Sequence, residues 1–86
     1  MTREEKNAKA VENANKLLNE IETLYNQFYD MEMVIKARTR EMEYIIDEDD
    51  FEYDDYADET QQEREYTETL KAIHYYIRNI EERFRW

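Results

Sequence analysis

The apolar positions in the first half of the chain keep a steady step: Ala10, Ala14, Leu17, Ile21, Leu24, Phe28, Met31 and Ile35, a polar interruption at Arg38, then Met42 and Ile45. Gaps alternating between four and three residues put these side chains on one helical stripe with a 3.5-residue repeat, the pattern of coiled coils and bundles. The spacing predicts one helix over about 3–46. Thr2 is its expected N-cap, and Glu5 completes a capping box. Glu5/Lys9, Glu12/Lys16 and Glu32/Lys36 are acid-then-base pairs four apart that support the solvated face. A second seam, Glu63, Tyr66, Leu70, Ile73, Ile77, Ile80 and Phe84, follows a second Thr60/Glu63 capping box and predicts a helix over about 60–86.

Two seams separated by a break predict an all-α fold, a long antiparallel helical hairpin of coiled-coil type. One register aligns Ile35 with Tyr66, Met31 with Leu70, Phe28 with Ile73, Leu24 with Ile77, Ile21 with Ile80 and Leu17 with Phe84. That register sets Arg38 opposite Glu63, a half-buried ion pair that would specify alignment more than it stabilises. Residues 1–13 then overhang the second helix. A second stripe of Val11, Leu18 and Tyr25 runs beside the first seam, and Tyr75, Tyr76 and Trp86 add further apolar surface. This excess favours a homodimer that completes a four-helix bundle. The alternative is an overhang that bends back as a third helix, broken near Asn13 or Asn15.

Composition narrows the chemistry. The 86 residues contain no Cys, Ser, Gly or Pro, so one domain at most is expected, with no disulfide framework, thiolate metal site, serine or cysteine nucleophile, or glycine-rich phosphate loop. No apolar run approaches the ~20 residues of a membrane span, and the basic start has no apolar stretch behind it, so a cytoplasmic protein is the default expectation. A net charge of -11 repels nucleic-acid backbones and anionic lipid, which disfavours direct nucleic-acid or membrane binding.

The charge is local. Residues 1–46 carry a net charge of -2 and residues 60–86 balance, so residues 47–59 supply -9. Continuing a helix through that run would set Glu48/Glu52, Asp50/Asp54, Asp54/Asp58 and Asp55/Glu59 as like charges four apart, at about 0.2–0.5 kcal/mol each, which predicts an acidic connection over about 47–59. The run Asp47-Glu48-Asp49-Asp50 has calcium-loop composition, but the sixth position of such a loop needs Gly and holds Glu52. His74 has Lys71 three residues before it, without the Glu-x-x-His pattern of di-iron bundles, and reads as a boundary residue. Paired carboxylates doing glycosidase work need a walled cleft, which a solvated connection does not offer. No metal, cofactor or catalytic residue is therefore expected.

A charge run is ordinarily a solvated linker. This one differs in interleaving Phe51, Tyr53 and Tyr56, residue types that anchor interfaces, where a linker would use Gly, Ser or Pro. Nine charges over thirteen residues give one per ~2.2 Å if helical or ~4.8 Å if extended, a range that brackets ~3.4 Å along one nucleic-acid strand. The expected function is a non-enzymatic acidic binding protein that occupies the basic, nucleic-acid-binding surface of another protein. Such a protein would be a nucleic-acid-mimic inhibitor, and small acidic inhibitors made by bacterial viruses have this general composition. Its partner-binding residues would be the carboxylates Asp47, Glu48, Asp49, Asp50, Glu52, Asp54, Asp55, Asp58 and Glu59 with the rings of Phe51, Tyr53 and Tyr56. The alternative is a structural or adaptor coiled-coil dimer whose acidic segment is a solvated connection.

Overall fold

The computed structural model of the chain describes residues 2–28, 30–48, 51–53 and 60–85. It is all-helical there, with three helices and no strand: α1 over Arg3–Gln27, α2 over Glu32–Asp47 and α3 over Gln61–Phe84. At 1.5 Å per residue these are rods of about 38, 24 and 36 Å. The hairpin-like packing of the N-terminal helix on the C-terminal helix is present, as α1 lying along α3. Both N-caps are where the sequence puts them. Thr2 Oγ1 accepts from the Glu5 N–H at 3.2 Å, and Thr60 Oγ1 accepts from the Glu63 N–H at 3.1 Å.

The single helix over 3–46 is not formed. Helix α1 ends at Gln27, with Phe28 as a non-helical C-cap (φ -119°, ψ 28°), and the Met31 N–H donates to the Phe28 carbonyl at 3.0 Å to close a turn. The run from Asn26 to Asp30 is made of residues with middling to weak helix propensity, which lowers the local cost of breaking. The larger reason is tertiary. A continuous helix over 3–46 would be about 66 Å long beside a partner of about half that length. Folding back at residues 28–31 instead buries Ile35 and Met42 completely. Phe28 and Met31, both on the expected seam, are left 41% and 46% exposed in the turn.

The direction of packing also differs from the expected register. Gln62 Nε2 donates to the Glu4 carbonyl at 3.2 Å, Thr69 Oγ1 to Asn15 Oδ1 at 3.1 Å, and Arg83 Nη1 to the Tyr25 carbonyl at 3.1 Å. Residue numbers climb together, so α1 and α3 run side by side from the same end, and α2 runs back against them. The second stripe of α1 thereby finds its partner inside the chain. Val11 is buried, Leu18 and Tyr25 pack half-buried against the core, and the Tyr25 and Tyr76 rings lie 5.4 Å apart. The core gathers Ala10, Ala14, Leu17, Ile21 and Leu24 of α1, Ile35 and Met42 of α2, and Tyr66, Ile73, Ile77 and Ile80 of α3.

The expected Arg38–Glu63 pair is corrected for the same reason. With α2 folded onto α1, Arg38 Nε and Nη2 form a two-pronged bridge to the Glu20 carboxylate, the Nη2 contact being 2.9 Å, and Nη1 reaches Glu41 Oε2 at 2.6 Å. Glu63 lies at the other helix, buried next to its Thr60 cap. The Arg38 hydrogen bond and charge hold the Glu20 carboxyl below its ordinary value of 4.5, against an opposing push from burial. Of the acid-then-base pairs on α1, Glu12 and Lys16 meet at 3.3 Å on the exposed face.

Two expectations follow. Thr39 is 1% exposed, and its Oγ1 has no hydrogen-bond partner among the described residues. Thr39→Val removes an unsatisfied buried hydroxyl at nearly constant shape and should stabilise the fold by about 1 kcal/mol, read as a rise of about 4–8 °C in Tm. An unchanged or lower Tm would mean that the hydroxyl is satisfied in solution. Glu20 has a folded pKa below its unfolded one, so its contribution is fully present above pH 4.5 and is lost as pH falls through the lower folded value. Urea melts of wild type and Glu20→Gln should therefore differ at pH 7 and converge as the pH falls below 4.5 and on through the lower folded value.

Candidate functional site

Of the acidic connection, residues 51–53 lie beside the N-terminal turns of α1, where the N-cap Thr60 of α3 also sits. Asp47 and Glu48 are exposed at the C-terminal end of α2, which has no basic residue in its last turn. Carboxylates there meet the negative end of the helix dipole, a placement that costs about 0.3–1 kcal/mol each at such sites. Local helix stability does not account for these two acids.

Residues 51–53 are then tied down by α1 and α3. The Glu52 N–H donates to Asn7 Oδ1 at 2.9 Å, and Asn7 Nδ2 donates back to the Glu52 carbonyl at 2.8 Å, so one side-chain amide clamps one residue's backbone from both sides. Lys6 Nζ adds an ion pair to Glu52 Oε1 at 2.9 Å. The Lys6 hydrogen bond and charge, helped by Arg3, lower the Glu52 carboxyl below its ordinary range. Phe51 stacks on Tyr66, with ring centroids 4.2 Å apart and planes 6° from parallel, and Tyr53 closes the cluster at 4.8 Å from Phe51. Tyr66 is 4% exposed, so the stack continues the core outward to this segment. Next to the clamp lies a cleft lined by Arg3, Glu4, Asn7, Thr60, Gln62 and Glu63, which places the N-cap of α3 at the same end.

The sequence-derived site residues thus fall into three groups. Asp47 and Glu48 are exposed where α2 ends, Asp47 lining a groove with Lys71 and Arg78 of α3, and the Glu52 and Tyr53 side chains are exposed at the clamp, Tyr53 by 52%. Phe51 is half-buried on its own core, so much of its ring surface is already used within the chain. Asp49, Asp50, Asp54, Asp55, Tyr56, Asp58 and Glu59 lie outside the described residues. His74 stands elsewhere, exposed in a groove between α2 and α3 with Glu43, Asp47, Lys71 and Arg78. Among the described residues no group of His and carboxylate side chains is placed to hold a metal ion, and no helix is long and apolar enough to cross a membrane.

Two residues that shape this end were not singled out from the sequence, Asn7 and Lys6. The signal for Asn7 was available. One step of three back from Ala10 lands on it, so the first seam begins with a polar residue at a core position, and it is 4% exposed. A buried amide needs partners, and the Glu52 backbone supplies them.

No known protein family, curated protein or solved structure matches the chain.

The clamp gives a direct test. Asn7→Ala should leave the Glu52 N–H and carbonyl without their partner and cost about 1–3 kcal/mol. It should also weaken the near-ultraviolet circular dichroism of the Phe51, Tyr53 and Tyr66 cluster. Thermal melts with unchanged Tm and an unchanged aromatic band would show that the clamp does not hold this segment.

Proposed function

We propose that this is a non-enzymatic acidic binding protein that occupies the basic, nucleic-acid-binding surface of a partner protein, with its acidic connection as the contact. The observation that carries the reading is the separation of charge from scaffold. Residues 47–59 hold -9 of a total of -11, and within this stretch the Asn7 clamp holds the Glu52 backbone to α1. Holding part of the stretch in place reduces the entropy lost on binding. Asp47 and Glu48 are kept at a helix end where they weaken the helix, which fits selection for display over stability. In this reading the carboxylates supply steering and salt-dependent affinity, and Tyr53 is an exposed ring within the same stretch.

The adaptor reading, a coiled-coil dimer that recruits partners through its helix faces, draws support from the exposed apolar side chains of α2, with Met33 79% and Tyr44 67% exposed. The two readings separate by salt and by competition. A mimic loses affinity steeply as salt rises and is displaced by duplex DNA or RNA, whereas an adaptor working through apolar faces tolerates both.

The deciding variant converts Asp47, Glu48, Asp49, Asp50, Asp54 and Asp55 to their amides. It should lose at least about tenfold in affinity for basic nucleic-acid-binding proteins, measured by calorimetry against a panel with DNA as competitor. Its helical circular dichroism should be retained and its Tm equal or slightly higher, because like charges and two dipole-opposed acids have been removed. Retained affinity in the folded variant would defeat the proposal.

A further inference from the structure

Four of the exposed large apolar side chains, Met33, Val34, Tyr44 and Ile45, are on α2, on the side away from the core. Ile35, Thr39 and Met42 are buried on one side of the helix. At about 100° per residue, Met33, Val34, Ala37, Tyr44 and Ile45 fall within about 120° on the opposite side. Their exposures are 79% for Met33, 52% for Val34, 67% for Tyr44 and 39% for Ile45. A patch of this kind on a small chain marks an interface. The arrangement of its residues specifies what covers it.

We propose that this face pairs with the same face of a second copy, the two α2 helices lying antiparallel about a two-fold axis near residue 39. The pattern is self-complementary under that operation. Met33 and Tyr44 occupy one flank of the face and Val34 and Ile45 the other. Reversing the helix therefore sets Met33 against Tyr44 and Val34 against Ile45 of the second copy, twice over, as an isologous interface requires. Ala37 lies near the axis, and a small residue at the crossing lets the helix axes approach to the short end of the usual 8–10 Å.

Charge selects the same arrangement. Glu41, the one carboxylate near the middle of the face, is held by Arg38 of its own helix at 2.6 Å. In the antiparallel pair it also faces Arg38 of the second copy, so acids and bases alternate around the axis. Helix α2 itself has a net charge of only -1, with Lys36, Arg38 and Arg40 against Glu32, Glu41, Glu43 and Asp47. Its C-terminal end leads directly into residues 48–59, which carry a further -8. A parallel pair would place two such connections side by side. The antiparallel pair separates them by about one α2 length, ~24 Å, well beyond the ~8 Å Debye length of physiological salt. The inference is independent of the proposed function.

The chain has no cysteine, which allows a direct test of geometry. Val34→Cys and Ile45→Cys proteins, one carrying a mass tag, are mixed and oxidised. The expected result is a covalent heterodimer that exceeds either homotypic product. Homotypic products equal to the mixed one would overturn the antiparallel pairing. Sedimentation equilibrium on the cysteine-free protein should show a concentration-dependent dimer, with a dissociation constant raised at least about tenfold by Val34→Glu. A monomer at all concentrations up to about 0.5 mM, or a dimer indifferent to Val34→Glu, would overturn the proposal. Because Val34 is exposed, the folded state of each variant is checked by its helical circular dichroism.

Discussion

Everything in this molecule follows from α1 having two apolar stripes and only one chain to cover them. The stripe of Ala10, Ala14, Leu17, Ile21 and Leu24 and the stripe of Val11, Leu18 and Tyr25 point in directions that one partner helix cannot satisfy together. A second helix folded back and a third laid alongside can. In an 86-residue chain the margin between burial and conformational entropy is small. A fold that leaves α1 half covered is therefore disfavoured against one that closes a three-helix core. The turn at residues 28–31, the placement of Arg38 on Glu20, and the direction of α3 are consequences of that closure.

Much of this was legible in the sequence, and the rest was hidden for identifiable reasons. Helical class, both N-caps and the core positions of α3 follow from periodicity and capping chemistry, which are local signals. The break after Gln27 was not legible. Leu24, Phe28, Met31 and Ile35 keep the heptad step through it, and no Gly or Pro marks it. Tertiary burial overrode a local pattern that is equally compatible with a continuous helix. Once the long helix was assumed, the partner of Arg38 and the register of α3 were wrong with it. The second stripe was recognised as surplus, but it was assigned to another molecule when α3 of the same chain covers most of it. At the acidic connection, the Asn7 amide that clamps Glu52 leaves a legible trace in the sequence, a polar residue one step of three before Ala10 on the first seam; its partner does not, because a backbone N–H and carbonyl carry no sequence signal.

The same closure explains how a chain of net charge -11 folds. Arg3–Gln27, Glu32–Asp47 and Gln61–Phe84 each carry a net charge of -1, so the packed helices approach one another without much repulsion. The excess sits almost entirely in the connection between α2 and α3. There the chain gains little from the charge itself: Asp47 and Glu48 oppose the α2 dipole, and Glu52 is ion-paired to Lys6. The Asn7 clamp and the Phe51–Tyr66 stack hold the segment through its backbone and its rings. The backbone clamp and the ring stack hold residues 51–53 by neutral contacts, to which the Lys6–Glu52 ion pair adds a charged one.

That division also settles which surface can serve which purpose. An acidic segment repels its own copy and attracts a basic partner, so it is poorly suited to self-association and well suited to display. The outward face of α2 has the reverse properties, being apolar at both ends, nearly neutral in total, and small at its centre. Two surfaces of opposite character on one small scaffold need not compete, because occupying one leaves the other's electrostatics nearly unchanged beyond a Debye length. On the proposed function, an antiparallel pair would carry its two acidic connections apart, and a single-site binder would become a two-site one whose avidity depends on whether the basic surfaces it meets match that spacing.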